Sequence, residues 1–464
     1  MKKRELIREA SSFRDPSGFV FYSGNTIYRQ VNTSYKNDYL HFKNSGLCKK
    51  LVDEKLLIPF REVSNFKSAD SEAFAVLKTE TIPFISYPYE WCFEQLKDAA
   101  LCTLRIQRVC LEHNMSLKDA SAFNIQFLAG KPIMIDILSF ERYKEGLPWV
   151  AYLQFCQQFL SRLLLMAKVD SRLGMVSGIF LDGVPLDLTS RLLPKSSYLN
   201  FSTLAHIHMH AHNQKKYGKS SSSVRLKSKA LTKNMFLGII DNLENLIRNT
   251  KYSNGQTEWG EYSNMMNYTQ AAFENKKKIV KSYLVRQQPK SVWDLGANTG
   301  EFSRIAAGLG IFTISFDFDH AAVNTNYLQI KKDGETNILP LLMDVANPTA
   351  DLGWAHEERK SLQKRGPSDL VMALALTHHL CISRNLTFRL IASYFQKIGN
   401  SLIIEFVPKS DSKVRTLLRN RKDIFPWYNQ KTFESESSKY FRILKRDPIG
   451  NNSLRIVYLM ERKK

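Results

Sequence analysis

The run Val292-Trp293-Asp294-Leu295-Gly296-Ala297-Asn298-Thr299-Gly300 constrains this chain more than any other stretch. An apolar strand leads into an acidic residue and then into a turn of small residues. Glu301-Phe302-Ser303-Arg304-Ile305-Ala306 follows with a helical pattern. Glycine permits the tight turn and removes the side chain that would hold a ligand off the backbone. The start of the next helix offers N–H groups with no partner inside the helix. Such a loop cradles a nucleotide-like ligand.

Spacing narrows the choice of ligand. Asp317 lies 23 residues beyond Asp294, at the end of a second apolar run, Ile311 to Phe316. A carboxylate at the tip of a second parallel strand can accept both ribose hydroxyls of an adenosine. A third run, Ile338 to Met343, ends in Asp344, which suits an adenine amino group. A fourth, Asp369 to Leu376, ends in Thr377-His378-His379, and a fifth is Ser401 to Phe406. A dinucleotide-binding dehydrogenase would want G-x-G-x-x-G. Gly296 and Gly300 are four apart with no glycine three residues further on, so that alternative loses.

These residues resemble class I S-adenosylmethionine-dependent methyltransferases over roughly residues 259 to 464. Asp294 to Gly300 is similar to that family's first motif, with Asn298 where a middle glycine is common. The resemblance implies an α/β fold: a Rossmann-like, seven-stranded methyltransferase sheet with helices on both faces. It implies S-adenosylmethionine as cofactor, held by Asp294, Gly296, Asn298, Gly300, Asp317 and Asp344. The family's closing antiparallel hairpin is expected in Tyr440 to Leu444 and Leu454 to Leu459.

At 464 residues the chain has room for two or three domains. No stretch approaches 18 uninterrupted apolar residues, and the charged start Met1 to Glu9 lacks a signal-peptide core. Six cysteines without a C-x-x-C pair are expected to be reduced thiols of a cytoplasmic protein with no membrane partner. A net charge of +22 raises a nucleic-acid partner, but the charge is spread. Residues 255–464 carry 31 basic and 21 acidic side chains, and the remainder carries 35 and 23. The local exception, Lys215 to Lys233, has seven basic residues and no acid, and is expected to be a solvated linker. The expected organisation is an α+β domain over 1–214, a basic Ser-rich linker and helix over 215–255, and a methyltransferase domain over 256–464.

In the first half, Ser23-Gly24-Asn25 signals a hairpin, Phe84 to Pro88 reads as a strand, and Glu94 to His113 as a helix. The segment Leu117-Lys118-Asp119-Ala120-Ser121-Ala122-Phe123-Asn124, with Asp136 twelve residues on, resembles the catalytic loop and metal-binding strand of protein-kinase-like folds. That resemblance implies Asp119 for the acceptor hydroxyl, and Asn124 with Asp136 for magnesium. A glycine-rich loop of the kinase pattern is missing. Lys78 sits just before the 84–88 run, with no room for the helix that should pair with it. A degenerate kinase-like scaffold that holds substrate or partner is therefore expected. His206, His208, His210 and His212 alternate, but no third ligand of the right type is near, so no metal is expected.

Methyl transfer needs alignment of the acceptor, and a base only where the acceptor holds its proton tightly. His378 and His379, after the fourth strand, are the expected catalytic residues, since histidine titrates near neutrality. Tyr268, Glu405 and Lys409 are candidates for facing the acceptor, and the Trp354 to Leu362 stretch is expected to form an extra helix beside it. The Asn/Asp-Pro-Pro-aromatic loop of nucleobase methyltransferases is absent, which favours a hydroxyl or other small group as acceptor. A nucleic-acid-directed methyltransferase and a bifunctional kinase-like/methyltransferase protein are the alternatives. Ser86 to Trp91, Ala373 to Leu380 and Ile404 to Lys409 also resemble a group of bacterial nodulation-protein (NoeA-type) methyltransferases.

Overall fold

A computed structural model describes residues 6–64, 71–217, 231–252, 270–419, 422–450 and 454–463. The chain divides into two compact units: Met1–Ser253 with Leu352–Arg359, and Asn254–Asp351 with Lys360–Lys464.

The first unit begins with short alternating strands that form an antiparallel sheet. Its strands are β1 (Leu6–Arg8), β2 (Gly18–Ser23), β3 (Thr26–Asn32), β4 (Phe60–Glu62) and β5 (Ala73–Thr79), in the order β1-β2-β3-β5-β4. Ser23 pairs with Thr26 across a two-residue turn in which Gly24 takes a φ of 59°. That is the backbone a tight hairpin demands. The buried helix Phe93–Glu112 leads to two small ladders, β6 (Met115–Leu117) with β9 (Phe140–Arg142), and β7 (Ile125–Leu128) with β8 (Lys131–Met134). The helix Lys233–Asn249 also belongs to this unit. Arg108 pairs with its Asp241 and Glu244, and the Lys97 ammonium donates to the carbonyls of Arg248 and Thr250. The first unit runs to about residue 253 and includes this helix. The Ser220 to Ser223 part of the expected linker lies outside the described residues.

Two expectations fail in this unit. Phe84 to Ser86 is irregular backbone and Pro88–Glu90 is a 3-10 turn, so no strand forms there. Trp354 to Leu362 does not form one continuous helix. Leu352 and Arg359 exchange backbone hydrogen bonds around a turn with positive φ at Gly353, Ala355 and His356. This segment is part of the first unit, where Arg14 donates to Glu358 and the Arg359 guanidinium lies 4.0 Å from the Phe123 ring.

The second unit is built on a seven-stranded sheet. Its strands are β10 (Ser291–Leu295), β11 (Phe312–Asp317), β12 (Ile338–Leu342), β13 (Ser368–Ala373), β14 (Gly399–Phe406), β15 (Phe441–Pro448) and β16 (Ile456–Arg462). Their order is β12-β11-β10-β13-β14-β16-β15, parallel from β12 to β14 and closed by the antiparallel β16 and β15. Side chains alternate across the pleat. Ile403, Val457 and Leu459 therefore join Val280, Tyr283 and Leu284 of the helix Gln270–Gln287 on one face. Their neighbours Phe406 and Tyr458 meet an aromatic layer on the other. That layer comes from Phe388 of the helix Phe388–Ile398, from Tyr428, and from Phe433 of the helix Gln430–Ser437. Helices thus cover both faces, which explains why the central strands read as continuous apolar runs.

Candidate functional site

Strand order reverses between β10 and β13, and ligands of open α/β sheets settle outside the carboxyl ends of strands at such a point. A cavity of about 450 Å³ opens there. Asp294, Gly296, Asn298, Asp317 and Asp344 all line it, together with His379. The loop after β10 is tied down by Gly296 and Ala297, whose N–H groups both donate to the Phe316 carbonyl at 2.9 Å. Asn298 takes a φ of 51°, so it adopts the left-handed backbone that a glycine usually supplies. Gly300 has a φ of 84°, and a Cβ there would stand 2.6 Å from the buried Asn326 amide. Gly300 supports the loop from behind rather than forming the cavity wall.

The acids of the site are held by distinct networks. Asp317 accepts the Asn298 N–H on one oxygen at 2.7 Å and the Asp319 N–H on the other at 2.9 Å. Burial pushes its pKa up to about 6, against the pull of those two N–H donors. Asp294 is fully buried and accepts the Ser303 hydroxyl at 2.6 Å, while Ser315 donates to Ser303. Burial raises Asp294 to about 7. Asp344 accepts the Ala346 N–H and the Arg384 guanidinium, and Arg384 also lines the cavity.

The two histidines part company. His379 opens the π-helical turn His379–Ser383 and stands in the cavity wall, and such turns often mark functional sites. Burial, aided by the Lys413 charge, lowers it to about 4, so the ring is neutral at pH 7. His378 is 1% exposed and is not among the lining residues. Among the described residues neither of its ring nitrogens meets a hydrogen-bond partner, and burial, then the His379 ring and nearby cations, lower its pKa well below the usual histidine value.

Glu405 does not line the cavity. It is fully buried, accepting the Lys276 ammonium at 2.6 Å and approached by Arg455 at 3.4 Å, which in turn pairs with Asp411. Lys409 is occupied by both oxygens of Asp423, also away from the wall. Tyr268 lies outside the described residues.

The sequence pattern missed Lys276, which lines the cavity at 2% side-chain exposure, with its ammonium 4.6 Å from the centre of the Phe302 ring. Its signal was available: Lys276 precedes Val280, Tyr283 and Leu284 by four, seven and eight residues, which places it on the buried face of one helix. Phe273, Phe302, Phe318 and Met343 supply apolar wall and were also missed.

In the first unit, Asp119, Asn124 and Asp136 do come together, but around protein partners. Arg29 and the Ser139 hydroxyl donate to separate oxygens of Asp136. Asn124 turns its amide nitrogen to Ser139 at 3.2 Å. Asp119 accepts from the Ser121 N–H and the Gln154 amide at 2.8 Å each, and burial, with the Asp136 charge adding, raises its pKa. Both Asp136 oxygens thus accept from protein donors, and Asn124 directs its Nδ2 to Ser139. Among the described residues no group of three or more histidine, cysteine or acidic side chains is arranged to hold a metal. Two of the alternating histidines are held by protein partners. His206 bonds the Tyr152 hydroxyl and Asn242, and His208 bonds Ser190 and Ser197.

No family model matches the chain. The nodulation protein NoeA of Rhizobium meliloti (strain 1021) is 34% identical over 462 residues, 98% of this chain and 96% of its own length. The chain belongs to the NoeA family. Among solved structures it is similar to magnesium protoporphyrin IX methyltransferase (ChlM) from Synechocystis PCC 6803 with bound SAH. That match has 16% identity and a TM-score of 0.32, and covers 46% of this chain and 91% of that one. The N-methyltransferase NodS from Bradyrhizobium japonicum WM9 matches at 10% identity and a TM-score of 0.32, over 42% and 98%. The kinase-methyltransferase WbdD matches at 15% identity and a TM-score of 0.30, over 42% of this chain and 40% of WbdD.

Proposed function

We propose that the second unit is an S-adenosylmethionine-dependent methyltransferase acting on a hydroxyl or other small group, and that the first unit holds the acceptor or a partner. The observation that carries this reading is the convergence of Asp294, Gly296, Asn298, Asp317 and Asp344 on one cavity at the switch point of a parallel sheet. The strand order, with its antiparallel closing pair, agrees with the class I resemblance. The residues present suit the cofactor. Asp317 accepts the ribose hydroxyls, Asp344 the adenine amino group, and exposed Phe318 offers a ring for the base. Lys276 sits beside Asp294 and Phe302, where it answers the amino-acid carboxylate.

S-adenosylmethionine supplies a methyl carbon on a positive sulfur, open to in-line displacement. The chain's own task is alignment and removal of one proton. His379 is the candidate for contact with the acceptor. A neutral ring held near a pKa of 4 is a weak base, so it holds the hydroxyl proton by accepting a hydrogen bond and takes it only as the new bond forms. His378, outside the wall, packs behind it with ring centres 4.2 Å apart and fixes its orientation.

Isothermal calorimetry with S-adenosylmethionine tests the reading. The full chain is expected to bind, and Asp317→Ala to abolish binding while leaving the circular dichroism unchanged. A folded wild-type chain that gives no heat would end it.

A further inference from the structure

A row of alternating charge runs through the core of the second unit and ends at the cofactor cavity. Asp411 accepts the Arg455 Nε–H at 2.7 Å, and another guanidinium nitrogen of Arg455 stands 3.4 Å from one oxygen of Glu405. The other Glu405 oxygen accepts the Lys276 ammonium at 2.6 Å. The Glu405, Lys276 and Arg455 side chains are 0%, 2% and 7% exposed. Separate elements bring them together. Glu405 is near the end of β14, Arg455 just ahead of β16, and Lys276 on the helix Gln270–Gln287, while Asp411 caps the helix Ser412–Leu418. Of these four side chains, Lys276 is the one that lines the cavity.

Stability alone does not account for such a row. Taking charges out of water often costs more than their attraction returns, and apolar side chains of the same volume would hold the core as well. The arrangement also has a direction. Arg455 leans toward Asp411 and leaves Glu405 to Lys276, so the series runs minus, plus, minus, plus and reaches the cavity on a cation. An anionic group of a ligand would continue it. Asp294 on β10 acts on the ammonium from the cavity side, but it accepts the Ser303 hydroxyl, and burial raises it to about 7. Glu301 on the helix Glu301–Ala307 is taken by Lys277, and the His378 ring, far below its usual pKa, is neutral. Burial lowers the Lys276 pKa, Glu405 opposes that fall most strongly, and Arg455 works with burial.

Resting on the S-adenosylmethionine reading, we propose that Glu405 is a positioning residue that keeps the Lys276 ammonium charged and aimed into the cavity, so that the chain reads the cofactor by its amino-acid carboxylate. Arg455 and Asp411 hold Glu405 in turn. Glu405 stands behind the wall and acts through Lys276. Without its carboxylate, burial and Arg455 both work against the charge of the ammonium, which then sheds its proton at a lower pH.

Calorimetry of the full chain with two probes, S-adenosylmethionine and its decarboxylated form, tests this. The wild type is expected to bind S-adenosylmethionine about tenfold or more tightly than the decarboxylated form. Glu405→Gln should weaken S-adenosylmethionine binding and leave the decarboxylated form within about twofold of wild type. The ratio of wild-type to variant affinity for S-adenosylmethionine should grow, by up to about tenfold per unit, as pH rises from about 7 to about 8.5. The ligand's own amino group titrates alike in both proteins and drops out of that ratio. Lys276→Met with Glu405→Gln removes both charges and leaves the Arg455–Asp411 pair, so it should keep the wild-type circular dichroism spectrum and bind the two probes alike. If neither probe binds the wild type, the cofactor reading itself fails and this inference with it. If the wild type binds both equally, only this inference fails. It is also overturned by a folded Glu405→Gln chain that binds S-adenosylmethionine as tightly as wild type, or by a loss equal for both probes and constant with pH. Should Glu405→Gln unfold, the double variant decides: discrimination retained there overturns the proposal.

Discussion

Asp317 shows how one carboxylate ties fold to function with opposite signs. Its pKa is raised by burial to about 6, above an unfolded value of about 3.9. For folding, a raised pKa means the favourable contribution is complete below the unfolded value and is lost as pH rises through about 6. Ligand binding runs the other way, because only the ionised carboxylate can accept two ribose hydroxyls. Affinity for S-adenosylmethionine is therefore expected to be flat above neutrality and to fall by up to about tenfold per unit below about pH 6. Calorimetric titrations from about pH 7.5 to about pH 5 measure this. A pH-independent affinity in a folded chain would remove Asp317 from the site. His379 does not confuse the test, since it stays neutral until about pH 4.

At the scale of strands and loops, much of the second unit was legible and less of the first. Strands buried on both faces write themselves as apolar runs, and each acid stands at or just beyond a strand end, so the cofactor loop could be read directly. Glu405 was misjudged because a run of apolar residues shows that a side chain is buried, not which partner neutralises it. Phe84 to Pro88 was misjudged for another reason: side chains do the work of a ladder there. Ser86 N–H donates to Gln126, the Gln126 amide returns a bond to the Ser86 carbonyl, and Tyr87 N–H donates to Glu90. Register decides which cation of this sheet meets Asp136. Arg29 on β3 pairs with Leu77 on β5, so Arg29 and Leu77 share a face and Lys78 points to the opposite one. Arg29, not Lys78, reaches Asp136. With that guanidinium in place, magnesium-ATP is expected to leave the melting temperature of the full chain unchanged. Arg29→Ala is expected to lower it by removing one partner of a largely buried pair. Differential scanning fluorimetry checks both. A rise in melting temperature of the wild type with magnesium-ATP would restore the phosphoryl-transfer alternative.

Over the whole molecule, two units with separate cores divide the labour. The basic, serine-rich stretch after residue 214 reads as a linker, which hides where the helix that follows it packs. The amphipathic helix Lys233–Asn249 beyond it returns to the first unit through Arg108 and Lys97. The cofactor cavity draws its lining residues from positions 273–384 alone, all within the second unit. A ligand stabilises only what it binds in the folded state, by about 2.7 kcal/mol at a hundredfold excess over Kd. For a unit of this size that corresponds to a rise of about 5–10 °C. Scanning calorimetry is therefore expected to resolve two transitions, of which saturating S-adenosylmethionine moves one. Asp317→Ala should freeze that transition in place, and Arg29→Ala should lower only the other. A single transition that shifts as a whole with the cofactor would show that the two cores melt together. The substrate-holding role proposed for the first unit would then have to act on a thermodynamically continuous molecule.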